Sequence, residues 1–203
     1  MNMMQNILVL VLLSLMVSSC TTTKLPAVTA YTINIPAINK ATGQAPQTQK
    51  VLRVAIPRSS AAIMSRNILY QGAGYSLNAY AFSKWSDTPN RMLANLFLAR
   101  IEDSALFKAV LPADSRGNSH YVLESSIQQF HQQINADGIS RANMRIGFYL
   151  IEARTGKVFA TREFISAPEA ISTNAKGAVS ALNQASVAIS SNLITWLTSL
   201  KLD

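Results

Sequence analysis

The feature that most constrains the fold is a regular alternation of apolar and polar residues near the middle of the chain. Over residues 141–150 every second residue is apolar, namely Ala142, Met144, Ile146, Phe148 and Leu150. Residues 121–128 alternate in a similar way, and turn signals at 137–138 and 154–157 separate these segments from each other and from 158–165. A period of two is typical of a strand with one buried face. We therefore predict an antiparallel meander of three strands.

Two amphipathic segments predict helices. Thr88-Pro89 places a capping hydroxyl before a proline at the first helical position, and apolar residues then recur every three or four positions, which predicts a helix over 88–104. Residues 173–200 carry a longer stripe of the same kind. The stripe indicates a helix that faces the core, with partner binding through that face as the alternative. The fold class is α+β, a mostly antiparallel sheet with two main helices packed on one side.

The first part of the chain reads as a tether followed by short strands. Residues 20–50 are polar and broken by proline and glycine, apart from an alternating first strand at 31–35. Residues 51–57 form a second strand, and 63–71 and 75–83 flank the turn Gly72-Ala73-Gly74 as a hairpin. Residues 51–203 are thus expected to form a single domain.

An apolar run of eleven residues, 7–17, ends just before Cys20, the only cysteine of the chain. The run is too short to cross a bilayer, but its length suits a signal peptide. With Val17-Ser18-Ser19-Cys20 it resembles a bacterial lipobox, which implies cleavage between Ser19 and Cys20. The thiol would then carry diacylglycerol and the new amino group an acyl chain such as palmitate. An ordinary signal peptide with an incidental cysteine, or a short buried helix, are the alternatives.

This N-terminus limits the chemistry of the mature chain, residues 20–203. Without a second cysteine, neither a disulfide nor a thiolate metal cluster can form. Thr21 follows Cys20 where retention in the inner membrane would usually require Asp, which points to the periplasmic, inner leaflet of the outer membrane. The net charge of +8 comes from scattered basic residues. In an exported protein this charge favours anionic lipid headgroups or an acidic partner over nucleic acid, with a merely solvated surface as the alternative.

The search for catalytic residues finds no coherent set. His120 and His131 are the only histidines, and their spacing does not match a metal motif. No G-x-S-x-G sequence occurs, and Gly72-Ala73-Gly74 lacks the context of a phosphate-binding loop. We therefore expect no enzyme, no metal site and no cofactor beyond the covalent acyl chains.

An aromatic cluster precedes the first helix and is the strongest candidate for a contact surface. Tyr75, Tyr80, Phe82 and Trp85 lie within eleven residues, and Tyr80 and Phe82 would share one face of a regular strand. A strand packed under the helix is the simpler interpretation. The functional interpretation is a patch that contacts lipid or protein, because aromatic side chains with polar tips suit interfaces.

The order of these segments resembles the ABC-type transport auxiliary lipoproteins (PqiC-like proteins). The resemblance covers nearly the whole mature chain, and its most specific part is the block Tyr80…Trp85…Pro89. The further segments that carry it are 31–33, 52–57, 66–70, 77–81, 84–89, 121–124 and 196–197.

The resemblance implies a non-enzymatic component of a transport system. Such lipoproteins work beside MCE-domain proteins and an ABC transporter that move phospholipids or other hydrophobic substrates between the membranes. The expected role is to dock the periplasm-spanning component at the outer membrane, with Cys20 as the acylation site. Tyr80, Phe82, Trp85 and Arg66 are candidates for contact with the partner or with phospholipid. The way such partners assemble also implies self-association into a homo-oligomer.

Two other functions remain open at this level. The chain could be an envelope lipoprotein that docks to peptidoglycan synthases or to a secretion pore. It could also be an envelope hydrolase, which would need His120 or His131 beside a nucleophile in a cleft.

Overall fold

The computed structural model describes residues 26–35, 45–72 and 74–202, together with Met3 by itself. The predicted signal peptide, Cys20 and much of the predicted tether lie outside the described residues. The described residues form nine strands and two helices: β1 Thr29–Tyr31, β2 Thr48–Val54, β3 Arg58–Ser59, β4 Asn67–Gln71, β5 Leu77–Trp85, α1 Pro89–Asp103, β6 Phe107–Leu111, β7 Tyr121–Ile134, β8 Ser140–Glu152, β9 Val158–Ser166 and α2 Ala175–Ser199.

Strand β7 lies at the centre of the sheet and pairs with other strands along both of its edges. One of its edges pairs with β8 along its whole length, in antiparallel register from Tyr121↔Glu152 to Ile134↔Ser140. The other edge pairs in succession with β2, β3 and β4, all parallel to it. Beyond these, β6 lies outside β2, β5 and β1 lie outside β4, and β9 lies outside β8. The long pairings are antiparallel and the short ones are mostly parallel, so the sheet is mostly antiparallel overall.

The predicted meander is confirmed as β7, β8 and β9. Its inward side chains Met144, Ile146, Phe148 and Leu150 are completely buried, as the alternation indicated. A register shift between Ile127 and Gln129 of β7 changes which residues face the core, so that Phe130 is buried after the bulge. The extra residue at this bulge interrupts the regular alternation of buried and exposed side chains along β7.

Both predicted helices are confirmed, and both pack on the inner face of the sheet. The ring of Phe97 in α1 meets Phe148 of β8 edge to face at 5.3 Å, and the Ser186 hydroxyl of α2 lies 3.8 Å from the Met144 sulfur. The expected capping role of Thr88 is wrong, because its side chain makes no capping hydrogen bond. The predicted proline at the first helical position is confirmed, because helix α1 begins at Pro89.

The predicted first strand at 31–35 is shifted in the structure. Strand β1 ends at Tyr31, and the next residues are held by α2: the Asn34 amide donates to Asn183 Oδ1 at 2.7 Å, and Asn183 Nδ2 donates to Thr32 O. A helix side chain thus satisfies backbone groups that a neighbouring strand would otherwise have paired.

The hairpin predicted around Gly72–Gly74 is confirmed by the antiparallel pairing of β4 and β5. Gly74 has φ +92°, which suits glycine at a turn. The first strand of this hairpin is shorter than predicted, because 61–64 form a turn closed by Ile63 N donating to Ser60 O. Among the described residues, no helix is long and apolar enough to cross a membrane.

Candidate functional site

Strand β5 carries three of the four candidate contact residues, and its irregular pairing decides which way they point. Leu69 of β4 pairs with Ala79 of β5, whereas Asn67 pairs with Lys84. Two steps along β4 therefore match five steps along β5. This irregularity breaks the alternation between Tyr80 and Trp85, so side chains that strict alternation would place on opposite faces both pack inward.

Trp85 belongs to the hydrophobic core. Its side chain is completely buried, and its ring packs against Phe130 with centroids 5.6 Å apart. A fully buried side chain offers no surface to a partner, so the structure replaces the predicted contact role of Trp85 with a packing role. For Trp85 the simpler interpretation of the aromatic cluster, packing in the core, therefore holds.

Arg66 is exposed and is tied to the backbone of Trp85. Its Nε donates to Trp85 O at 2.9 Å, while the Trp85 amide donates to Arg66 O at 2.7 Å. These two bonds fix the start of β4 against the end of β5. Arg66 therefore lies beside the end of β5, and its hydrogen bond there is made to the backbone.

Tyr80 anchors a buried polar network. Its hydroxyl is hydrogen-bonded to the side-chain oxygen of Gln132 and lies 2.9 Å from Thr173 O. Gln132 is completely buried, and its Nε2 donates to Ser140 Oγ and to Ser172 O. Burial, with a smaller effect from the neighbouring Tyr70, raises the pKa of Tyr80 to about 12. Tyr80 therefore links three strands to the segment that leads into α2.

Phe82 is the aromatic candidate that remains on the surface. Its side chain is 47% exposed, and it lies on the part of β5 that precedes the β1 pairing. Strand β1 pairs only with residues 83–85, so residues 77–82 have no strand neighbour on that side among the described residues. We call this stretch, residues 77–82, the β5 edge. An open strand edge with an exposed aromatic side chain can accept an added strand from a partner.

A basic cleft lies at the other end of β7 and was not predicted. Lys50, Arg53, His120 and Arg154 line a cavity of about 810 Å³, together with Glu152. Within it, the Arg53 guanidinium donates to Ser115 O and Gly117 O, and His120 Nδ1 accepts from the Val51 amide at 3.0 Å. These basic residues looked scattered in the sequence, and the parallel insertion of β2 beside β7 brings them together.

The two histidines do not form a common site. His120 lies at the start of β7, whereas His131 lies near its end, where burial lowers its pKa and favours the neutral ring. In the part of the chain that the structure describes, no group of three His, Cys, Asp or Glu residues could hold a metal ion.

Comparison with known proteins gives both a family and a fold. A family model described as the ABC-type transport auxiliary lipoprotein component matches residues 31–193. The crystal structure of a DUF330-family protein from Xanthomonas campestris is similar, with a TM-score of 0.69, 24% identity, and coverage of 84% of this chain and 91% of that chain. A second crystal structure, of an uncharacterized protein, has a TM-score of 0.62 and 14% identity, and covers 85% of this chain and 99% of that chain. No curated protein sequence matches the chain.

Proposed function

Since the chain belongs to the family of ABC-type transport auxiliary lipoproteins, we propose that it serves an MCE/ABC-type phospholipid transport system at the outer membrane. In this role it docks the periplasm-spanning component of the system. The observation that carries the proposal is the family match over residues 31–193, which runs from β1 well into α2. The β5 edge and the basic cleft therefore both belong to the family domain.

The anchor is the lipid on Cys20. Each buried CH₂ group of an acyl chain contributes about 0.8 kcal/mol, and two or three chains hold a protein far more firmly than one. Fixing the domain to one membrane raises the effective concentration of its docking surface for a partner that spans the periplasm. The sequence contains no nucleotide-binding motif of the G-x-x-x-x-G-K-[ST] type, so the energy for transport comes from the ABC transporter.

The docking surface proposed here is the β5 edge with Phe82. The backbone groups of residues 77–82 that point away from β4 face no strand among the described residues and would supply hydrogen bonds to an added strand, and the exposed Phe82 ring supplies apolar contact area. Arg66, which is exposed beside the same hairpin, adds a positive charge close to this surface. Tyr80 supports the surface from beneath through Gln132. This arrangement keeps the proposed partner contacts on a strand that the core holds rigid.

The test is affinity capture of the lipidated protein from chemically crosslinked cell envelopes, with proteins and bound lipids identified by mass spectrometry. We expect to recover an MCE-domain protein, and the mass of the crosslinked species reports the proposed self-association. Phe82→Ala should reduce recovery of the partner. Phe159→Ala is the matched control, because Phe159 is equally exposed, at 45%, but lies on β9 at another edge of the sheet.

Recovery of only peptidoglycan synthases or a secretion pore would reject the transport proposal and favour the alternative docking role. Equal loss of the MCE-domain protein with both variants would show that the β5 edge is not the docking surface. Circular dichroism of each variant checks that its fold is intact.

A further inference from the structure

We propose that one end of the sheet rests on the lipid surface and sets the orientation of the whole domain. This inference depends on the lipid anchor at Cys20 that the proposed function includes. The end in question is formed by three connections, β4–β5, β7–β8 and β9–α2. We call it the hairpin end, and its large exposed apolar residues are Tyr75, Leu77, Ile139 and Ile171.

Hydrogen bonds place the three connections at the same end. Gln133, near the end of β7, donates through Nε2 to Gly72 O of the β4–β5 connection at 3.3 Å. The β7–β8 turn follows directly, closed by Asn135 N donating to Ile139 O at 2.9 Å. The β9–α2 connection joins them through Ala170 N, which donates to Ser140 O at 2.8 Å.

Each connection presents a large apolar side chain to solvent. Tyr75 is fully exposed, Ile171 is 75% exposed, and Ile139 and Leu77 are each almost half exposed. Connections between strands are ordinarily rich in small polar residues, so apolar residues at all three tips need an explanation. Aliphatic side chains and a tyrosine with its polar tip are suited to the boundary between lipid headgroups and acyl chains.

The N-terminal segment arrives at the same end. Ala30 pairs with Lys84, which pairs with Asn67 of β4, and this part of the sheet lies about level with Phe130 of β7. At about 3.3 Å per residue, the hairpin end is then roughly 13 Å from β1 and the opposite end roughly 30 Å. Because β1 runs parallel to β5, the chain enters β1 from the side of the hairpin end.

The length of the tether restricts where the anchor can lie. Eight residues lie between Cys20 and Thr29, the first residue of β1, and the nine Cα–Cα steps that join the two span at most about 30 Å. This length reaches the hairpin end with slack. It reaches the opposite end only if the chain doubles back and is stretched completely. The acyl chains and the exposed apolar residues are therefore expected on the same side of the domain.

This orientation places the basic cleft on the side of the domain away from the lipid. At the hairpin end, acidic Asp137 and Glu169 balance basic Arg141 and Lys176. The cleft with Lys50 and Arg154 lies at the far end of β7, about 40 Å away along the strand. This distance is several times the Debye length of about 8 Å at physiological salt. With the hairpin end on the lipid, the cleft is therefore screened from the anionic headgroups, faces the periplasm and stays open to an acidic partner.

The test uses the absence of other cysteines in the mature chain. Lipidated Tyr75→Cys carries an environment-sensitive fluorophore at the hairpin end, and lipidated Val158→Cys is the matched control. Val158 is also exposed, at 58%, but lies at the start of β9 near the basic cleft. Both proteins are reconstituted into vesicles of phosphatidylethanolamine and phosphatidylglycerol, and vesicle flotation is measured first. Quenching by spin-labelled lipid and by aqueous iodide is then compared.

We expect the fluorophore at position 75 to shift its emission to the blue, to be quenched by spin-labelled lipid and to lose quenching by iodide. The fluorophore at position 158 should stay accessible to iodide. Flotation without a difference between the two positions, or with the reverse difference, would overturn the proposed orientation while the lipid anchor stands. Absence of flotation would remove the anchor itself, and with it both this inference and the anchoring part of the proposed function.

Discussion

Replacing Trp85 by alanine separates a core role from a contact role for this residue. The indole is completely buried and packs on Phe130, so Trp85→Ala removes one of the largest side chains of the core. Substitutions of buried Phe or Trp by Ala usually cost about 3–5 kcal/mol. The indole Nε1 is buried without a protein acceptor, and loss of this unpaired donor offsets part of the cost. We therefore expect a loss near the lower limit, about 3 kcal/mol.

Such a loss is large beside the total stability of a domain, which is typically about 5–15 kcal/mol. Trp85→Phe keeps an aromatic ring against Phe130 and removes the unpaired donor, so it should cost about 1–2 kcal/mol. Phe82→Ala, at an exposed position, should cost less than about 1 kcal/mol. The three values form a graded series that reflects burial rather than proximity to a docking surface.

The assay is urea unfolding of the mature chain with Cys20→Ser, followed by far-ultraviolet circular dichroism. The free energy of unfolding in water is obtained by linear extrapolation for each variant. If Trp85→Ala cost no more than Phe82→Ala, the assignment of Trp85 to the core would be refuted. Equal losses for Trp85→Ala and Trp85→Phe would instead refute the ring packing on Phe130 as the source of its stabilisation.

Three further substitutions test the polar network and the start of α2. Tyr80→Phe removes a partner of the buried Gln132 and should cost about 1–3 kcal/mol in urea unfolding. Burial raises the pKa of Tyr80 from 10.0 to about 12 in the folded protein. The free energy of unfolding of the wild type should therefore fall as the pH rises between these two values, and Tyr80→Phe should lack this contribution. Asn174→Ala removes the bond from the Gly177 amide that caps α2 and should lower the free energy of unfolding by about 1 kcal/mol. Gly177→Ala would place its Cβ 2.1 Å from Ser172 O, so thermal unfolding should show a loss of about 1–3 kcal/mol despite alanine's better helix propensity.

Periodic patterns in the sequence predicted the parts of the fold that depend on local burial. The alternation over 141–150 located β8 and its buried face, and the apolar stripes located α1 and α2 to within two residues at each end. These predictions succeed because the period of side-chain burial follows directly from strand and helix geometry. The α+β class followed from the same elements.

Features that depend on distant pairing could not be predicted in this way. The parallel insertion of β2 and β4 beside β7 has no local signature, and it is this pairing that assembles the basic cleft. The irregular pairing of β5 similarly decided that Trp85 faces the core while Phe82 stays exposed. In the candidate site, the sequence pattern placed the aromatic residues on a strand, but only the pairing register shows which of their side chains are buried and which are exposed.

The most direct test of the central claim is photocrosslinking in living cells from position 82. A photoreactive amino acid replaces Phe82 in the lipidated protein, and the covalent adducts are identified by mass spectrometry after illumination. The transport proposal predicts an adduct with an MCE-domain protein that is missing when the same amino acid replaces Phe159. An adduct with a peptidoglycan synthase or a secretion pore in place of the MCE-domain protein would contradict it.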